Sequence, residues 1–193
     1  DIHFADIDLL NGSFSLSDMS DTIGVVPGSV NFRNMYIRNI TGKVRDLRVI
    51  PDSVSMSIRG LAFHEASGFV NRSLDMNMAV VKNSLCFRGI DLFTDSSAIS
   101  AEKILLMPRE KVSWKDFVND VRIDFLFNKT IVNISDISYF VRPLKEIREE
   151  VSFSGRVTGT VAEMKGKNIR IDYETSTRLR FDFDISGLPE IND

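Results

Sequence analysis

The side chains that most readily do chemistry are few and scattered in this 193-residue chain. His64-Glu65 is half of a metal or acid–base motif, but the second histidine of a His-Glu-x-x-His helix is missing, and His3 is remote in sequence. The pair reads as a loop or surface histidine beside an acid. Asp182 and Asp184 stand two apart in an alternating segment and share one face of a strand. Glycoside hydrolysis needs two carboxyls opposed across a cleft, so a solvated face is the plainer reading. The lone Cys86, in Leu85-Cys86-Phe87, has no disulfide partner and reads as a structural thiol. Nucleophile elbow, glycine-rich phosphate loop and zinc-type cysteine pair are all absent from the sequence. Asn39, Asn71, Asn128 and Asn133 each open an Asn-x-Ser/Thr acceptor pattern, which matters only on a eukaryotic secretory route. The expectation is a non-enzymatic chain without catalytic residues, cofactor or metal.

Composition points the same way. Hydrophobic residues make up 43% and charged residues 26%, which suits a folded domain and not a disordered one. The 14 Phe against 3 Tyr and 1 Trp favour a thick core or an apolar groove over an aromatic sugar platform, since phenylalanine asks for no polar partner. With a formal net charge of −3 and no long Lys/Arg run, nucleic-acid binding has no electrostatic support. The chain opens at Asp1-Ile2-His3-Phe4, already alternating, and is expected to be one β-rich module, 1–193, excised from a longer protein.

The elements that must position any site are strands. Apolar residues alternate with polar ones at Val54-Met56-Ile58, Leu74-Met76-Met78-Val80, Val121-Ile123-Phe125-Phe127, Val151-Phe153 with Val157 and Val161, and Leu179-Phe181-Phe183-Ile185. Weaker strands are expected at 2–9, 30–38, 44–50, 61–63, 85–93, 98–107, 130–134 and 169–173. In 85–93 the apolar phase slips at Gly89, where a bulge would restore the facing of both halves. Turns are expected at Pro27-Gly28, Thr41-Gly42, Pro51-Asp52, Gly166-Lys167 and Gly187-Leu188-Pro189. Two short helices are expected. One runs from Ser113 to Val118 with Trp114 and Phe117 on its apolar face; the other lies in 135–150, capped by Ser135 or Asp136 and broken by Pro143. The run from Lys145 to Glu150 reads as solvated surface.

The pattern predicts an all-β fold of antiparallel sheet with one wet face: Asp124, Arg180, Asp182 and Asp184 outward, and Phe125, Phe127, Phe153, Val157, Phe181 and Phe183 on the apolar side. Two architectures satisfy it. One is a closed β-sandwich, such as an adhesion or carbohydrate-binding module. The other is an elongated, curled sheet whose apolar face stays open as a half-pipe or groove.

Several stretches bring in a resemblance. Ile134-Ser135-Asp136-Ile137-Ser138-Tyr139-Phe140, Pro143-Leu144, Phe153-Ser154-Gly155-Arg156-Val157-Thr158-Gly159-Thr160-Val161, Asn168-Ile169-Arg170-Ile171 and Ile185-Ser186-Gly187-Leu188-Pro189 resemble the TamB branch of the AsmA-like envelope proteins, in the Bacteroidetes form. Trp114-Lys115-Asp116-Phe117-Val118-Asn119-Asp120-Val121 is similar as well, and Ala101-Glu102-Lys103-Ile104 and the segment 27–47 more loosely. The stretch Asp172-Tyr173-Glu174-Thr175-Ser176-Thr177 departs from the pattern, lacking a turn glycine near the tyrosine. The resemblance implies a long protein anchored in the inner membrane and extending through the periplasm, with a half-pipe apolar inside. It implies outer-membrane biogenesis: phospholipid acyl chains in transit between membranes, or outer-membrane protein assembly. The implied partners are neighbouring β segments of the same full-length chain and an outer-membrane assembly protein reached through regions outside this fragment. No catalytic residue or metal is implied.

Overall fold

The computed structural model describes residues 1–20, 23–110, 116–140, 144–146, 148–173 and 177–187. The described strands are β1 (Ile2–Ser17), β2 (Asn34–Ile50), β3 (Ser53–Glu65), β4 (Val70–Val81), β5 (Ser84–Thr94), β6 (Ala98–Pro108), β7 (Val121–Asn133), β8 (Glu150–Gly159), β9 (Glu163–Tyr173) and β10 (Thr177–Ser186). Each pairs antiparallel with the next, giving one ten-stranded sheet in chain order. β1 and β10 are its two edges and do not pair with each other, so the curled sheet does not close. The elongated open sheet stands, and the closed sandwich is set aside.

The strands are longer than the sequence suggests because several expected interruptions lie inside them. Thr41-Gly42 falls within β2 and Gly166-Lys167 within β9. Neither is a turn. Gly42 is there because the backbone of Leu61 passes 2.9 Å from where its Cβ would stand. Pro51-Asp52 does connect β2 to β3.

What lets such long strands stay paired is a set of bulges at left-handed residues. Asn11, Asn39, Asp46, Gly60, Gly89 and Asn168 have φ between +50° and +58°, and each coincides with a register shift. The bulge expected at Gly89 is present: Asp75 pairs with Asp91 but Asn77 with Arg88. A single inserted residue flips the side-chain phase, so Leu85 and Phe87 before it and Ile90 and Leu92 after it all reach one face.

The helices are short. α1 (Phe117–Asp120) is capped by Asp116, whose side chain accepts from the Asn119 N–H. Ser113 and Trp114 lie outside the described residues. α2 (Ile134–Ser138) is capped not by Ser135 or Asp136 but by Asn133, two residues before the first of these, with its side chain accepting from the Ser135 N–H. Pro143 lies outside the described residues.

The β1–β2 connection folds over one end of the strands. Gly28 N–H donates to Ser67 O (2.7 Å) and Val30 N–H to Tyr139 O (2.8 Å). An aromatic cluster sits beneath: Phe69 meets Phe63, Tyr139 and Phe140, and Phe140 stacks on Phe32. Phe63 belongs to the apolar face, so this cover lies on that side of the sheet, hereafter the inner face.

Candidate functional site

The cross-strand register assembles the inner face. One row crosses all ten strands by direct pairing: Ile2, Val49, Val54, Val80, Leu85, Leu106, Ile123, Gly159, Met164 and Ile185. It contains no polar side chain. A parallel row runs Met56, Met78, Phe87, Ile104, Phe125, Val157, Gly166 and Phe183, with Phe4 and Leu47 paired at its start. Nine strand steps of about 4.8 Å make each row roughly 43 Å long. Apart from Ile123 and Gly166, both rows are half-buried or exposed and not sealed.

All six residues expected on the apolar side are on this face. Phe125 and Val157 are cross-strand partners. The ring of Phe127 meets Phe125 and Phe153 edge-on, with centroids 6.1 and 5.1 Å away. Phe181 and Phe183 are neighbours on β10, 6.2 Å apart. Glycines let these side chains lie flat: Ile169 covers Gly155 and Phe183 covers Gly166.

Towards the covered end the inner face becomes polar, which the sequence reading missed. Glu65 accepts from both the N–H and hydroxyl of Ser67. Thr94 and Ser97 donate their hydroxyls to Asp136 of α2 at 2.5 and 2.6 Å. Asn71, 1% exposed, donates from Nδ2 to Leu61 O at 2.7 Å. Thr94 and Ser97 thereby tie α2 to the β5–β6 connection, Glu65 braces the β3–β4 turn, and Asn71 fastens β4 to β3. The sequence signal was present but reads as noise: a polar residue falling in the apolar phase near one end of β3, β4 and β5. Burial also removes Asn71 from the four acceptor patterns, since an attached sugar has no room there; Asn39 and Asn128 are exposed.

The outer face is polar, with one correction. Asp124 is not solvated but 8% exposed, beneath Arg156 and Lys103. Arg156 donates to both its oxygens at 2.9 Å, and Lys103 to Oδ2 at 2.5 Å. The Arg156 guanidinium foremost, and then the Lys103 ammonium, hold the Asp124 carboxyl down at about 2. Asp182 and Asp184 lie on this face with separate cations: Lys167 at 2.8 Å and Lys165 at 2.9 Å. The Lys167 bond and the Asn168 N–H lower the Asp182 carboxyl from its ordinary value. His64 is half-buried near the end of β3, with the Asn39 amide 3.5 Å from its ring, and His3 faces Asp46 on the other side of the molecule's first hairpin. Cys86 is half-buried in β5 and unpaired in any disulfide. Among the described residues, no three His, Cys, Asp or Glu side chains gather in a way that could hold a metal ion, and no helix is long and apolar enough to cross a membrane.

Comparisons of this chain with protein-family models, with curated proteins and with solved structures gave no match.

Proposed function

We propose that this chain is a non-enzymatic segment of a TamB-like, AsmA-like protein of the bacterial envelope, on the periplasmic side of a full-length protein anchored in the inner membrane. Its inner face shelters phospholipid acyl chains in transit between membranes. Support for outer-membrane protein assembly, through contacts made elsewhere in the full-length protein, belongs to the same reading. The observation that carries it is the pair of apolar rows crossing an unclosed ten-stranded sheet from edge to edge. A core sealed by a second sheet would have no use for such continuity. An open face with it offers each acyl methylene about 0.8 kcal/mol of desolvation anywhere along its length.

The test is native mass spectrometry of the gently purified chain beside a Met56→Glu/Met78→Glu variant, which places two charges in the middle of one row. Stoichiometric phospholipid on the folded chain, lost from a variant with unchanged circular dichroism, is the expected result. A folded chain free of lipid in detergent-free buffer containing phospholipid vesicles overturns the reading.

A further inference from the structure

At the end of the strands opposite the cover, the first apolar row runs up to a pair of opposite charges. The β2–β3 turn at Pro51-Asp52 and the β4–β5 turn at Lys82-Asn83 stand side by side, joined by the Lys82 N–H, which donates to Asp52 O at 2.8 Å. A cleft of about 550 Å³ opens there, within the range of small-molecule sites. Val49, Val54 and Val80, three consecutive members of the row, line it together with Asp52, Lys82 and Asn83.

Asp52 and Lys82 are both exposed, and although they line one cleft, neither forms an ion pair among the described residues. A carboxylate and an ammonium held apart in this way offer one charge of each sign to a ligand that enters between them. Lys82 has a φ of +54°, and every other non-glycine residue found with positive φ is Asn or Asp. Glycine or asparagine serves a left-handed position at lower cost, so the backbone does not account for the lysine and its side chain does.

We propose that this cleft takes the zwitterionic head of a glycerophospholipid. The Lys82 ammonium meets the phosphate, with the Asn83 amide as a second donor, and the Asp52 carboxylate meets the ammonium of the headgroup. The acyl chains leave over Val80 towards Leu85 and Leu106, the next residues of the row. This rests on the acyl-chain reading of the inner face and adds to it the class of lipid. A headgroup with phosphate but no ammonium leaves Asp52 without a counter-charge, and a diacylglycerol leaves both charges unanswered.

The test is titration calorimetry of the whole chain with soluble short-chain ligands: dihexanoyl phosphatidylethanolamine, dihexanoyl phosphatidylglycerol, dihexanoylglycerol and free phosphoethanolamine. The phosphatidylethanolamine is expected to bind roughly fivefold more tightly than either other lipid. Lys82→Glu removes its advantage over dihexanoylglycerol, Asp52→Asn removes its advantage over phosphatidylglycerol, and Lys82→Arg keeps both, with circular dichroism unchanged throughout. Equal binding of the three lipids, or charge variants without effect, overturns this inference and leaves the acyl-chain reading standing. No binding of any lipid overturns both. Free phosphoethanolamine bound as tightly as the lipid also overturns it, because the apolar row would then contribute nothing.

Discussion

The phenyl ring of Phe183 lies across Gly166, its nearest carbon 2.2 Å from where a Cβ on that glycine would stand. Gly166 has no left-handed backbone that would demand glycine, so its role is to leave room for the ring. Gly166→Ala is expected to push Phe183 off the strand and cost about 1–3 kcal/mol. Urea denaturation measures this, and Gly166→Ala combined with Phe183→Leu recovers part of the loss. An alanine variant as stable as the original chain shows that the ring does not depend on the gap.

Asp124 sets an acid limit to stability. Its carboxyl is held at about 2 in the folded chain, against 3.8 in an unstructured one. A lowered carboxylate value means that the unfolded chain binds the proton more readily. The contribution is therefore complete above about pH 4 and is lost as pH falls towards 2, amounting to roughly 2 kcal/mol. Asp124→Asn is expected to lower stability at neutral pH and to flatten the acid limb of a plot of unfolding free energy between pH 4 and pH 2. An unchanged acid limb overturns the assignment.

Gly89 separates two halves of β5 that face the same side. Its φ of +57° is the conformation that Asn11, Asn39 and Asn168 adopt at the other bulges. Gly89→Asn is expected to cost less than about 1 kcal/mol, and Gly89→Val distinctly more, because β-branching opposes the left-handed region. Thermal melts of the two variants give the ordering. Valine tolerated as well as asparagine refutes the bulge argument.

Asn71 joins the covered end of the inner face to the β3 bulge through Leu61 O. Asn71→Ala leaves that carbonyl without its donor and opens a small void. A loss of about 1–3 kcal/mol is expected, along with faster amide exchange across the β3–β4 connection. Exchange rates unchanged there sink the idea that this amide fastens β4 to β3.

The period-two pattern made the sheet legible, and the phase slip at Gly89 exposed a bulge, because in both cases apolar residues mark the face directly. The slips at Asn39, Asp46 and Asn168 went unread. A polar residue with positive φ looks in sequence like any polar residue of a loop. Thr41-Gly42 and Gly166-Lys167 were mistaken for turns for a related reason: glycine announces either a reversal or a close approach, and only the neighbouring strand decides which. The six phenylalanine and valine positions on the inner face followed from alternation alone. The burial of Asp124 did not, since it depends on Arg156 and Lys103, each from a different strand.

The hydrogen bond from Val30 to Tyr139 spans more of the chain than any strand pairing in the sheet. A meander whose strands touch only their sequence neighbours behaves nearly as a one-dimensional chain, in which hairpins form quickly and can fray one by one from either end. The bond from Val30, with that from Gly28 to Ser67, links β1 and β2 to the β3–β4 hairpin and to α2 beyond β7. Opening the first hairpin therefore also breaks contacts in the middle of the sheet. This clasp gives a structure that could melt strand by strand a reason to unfold as a single cooperative unit.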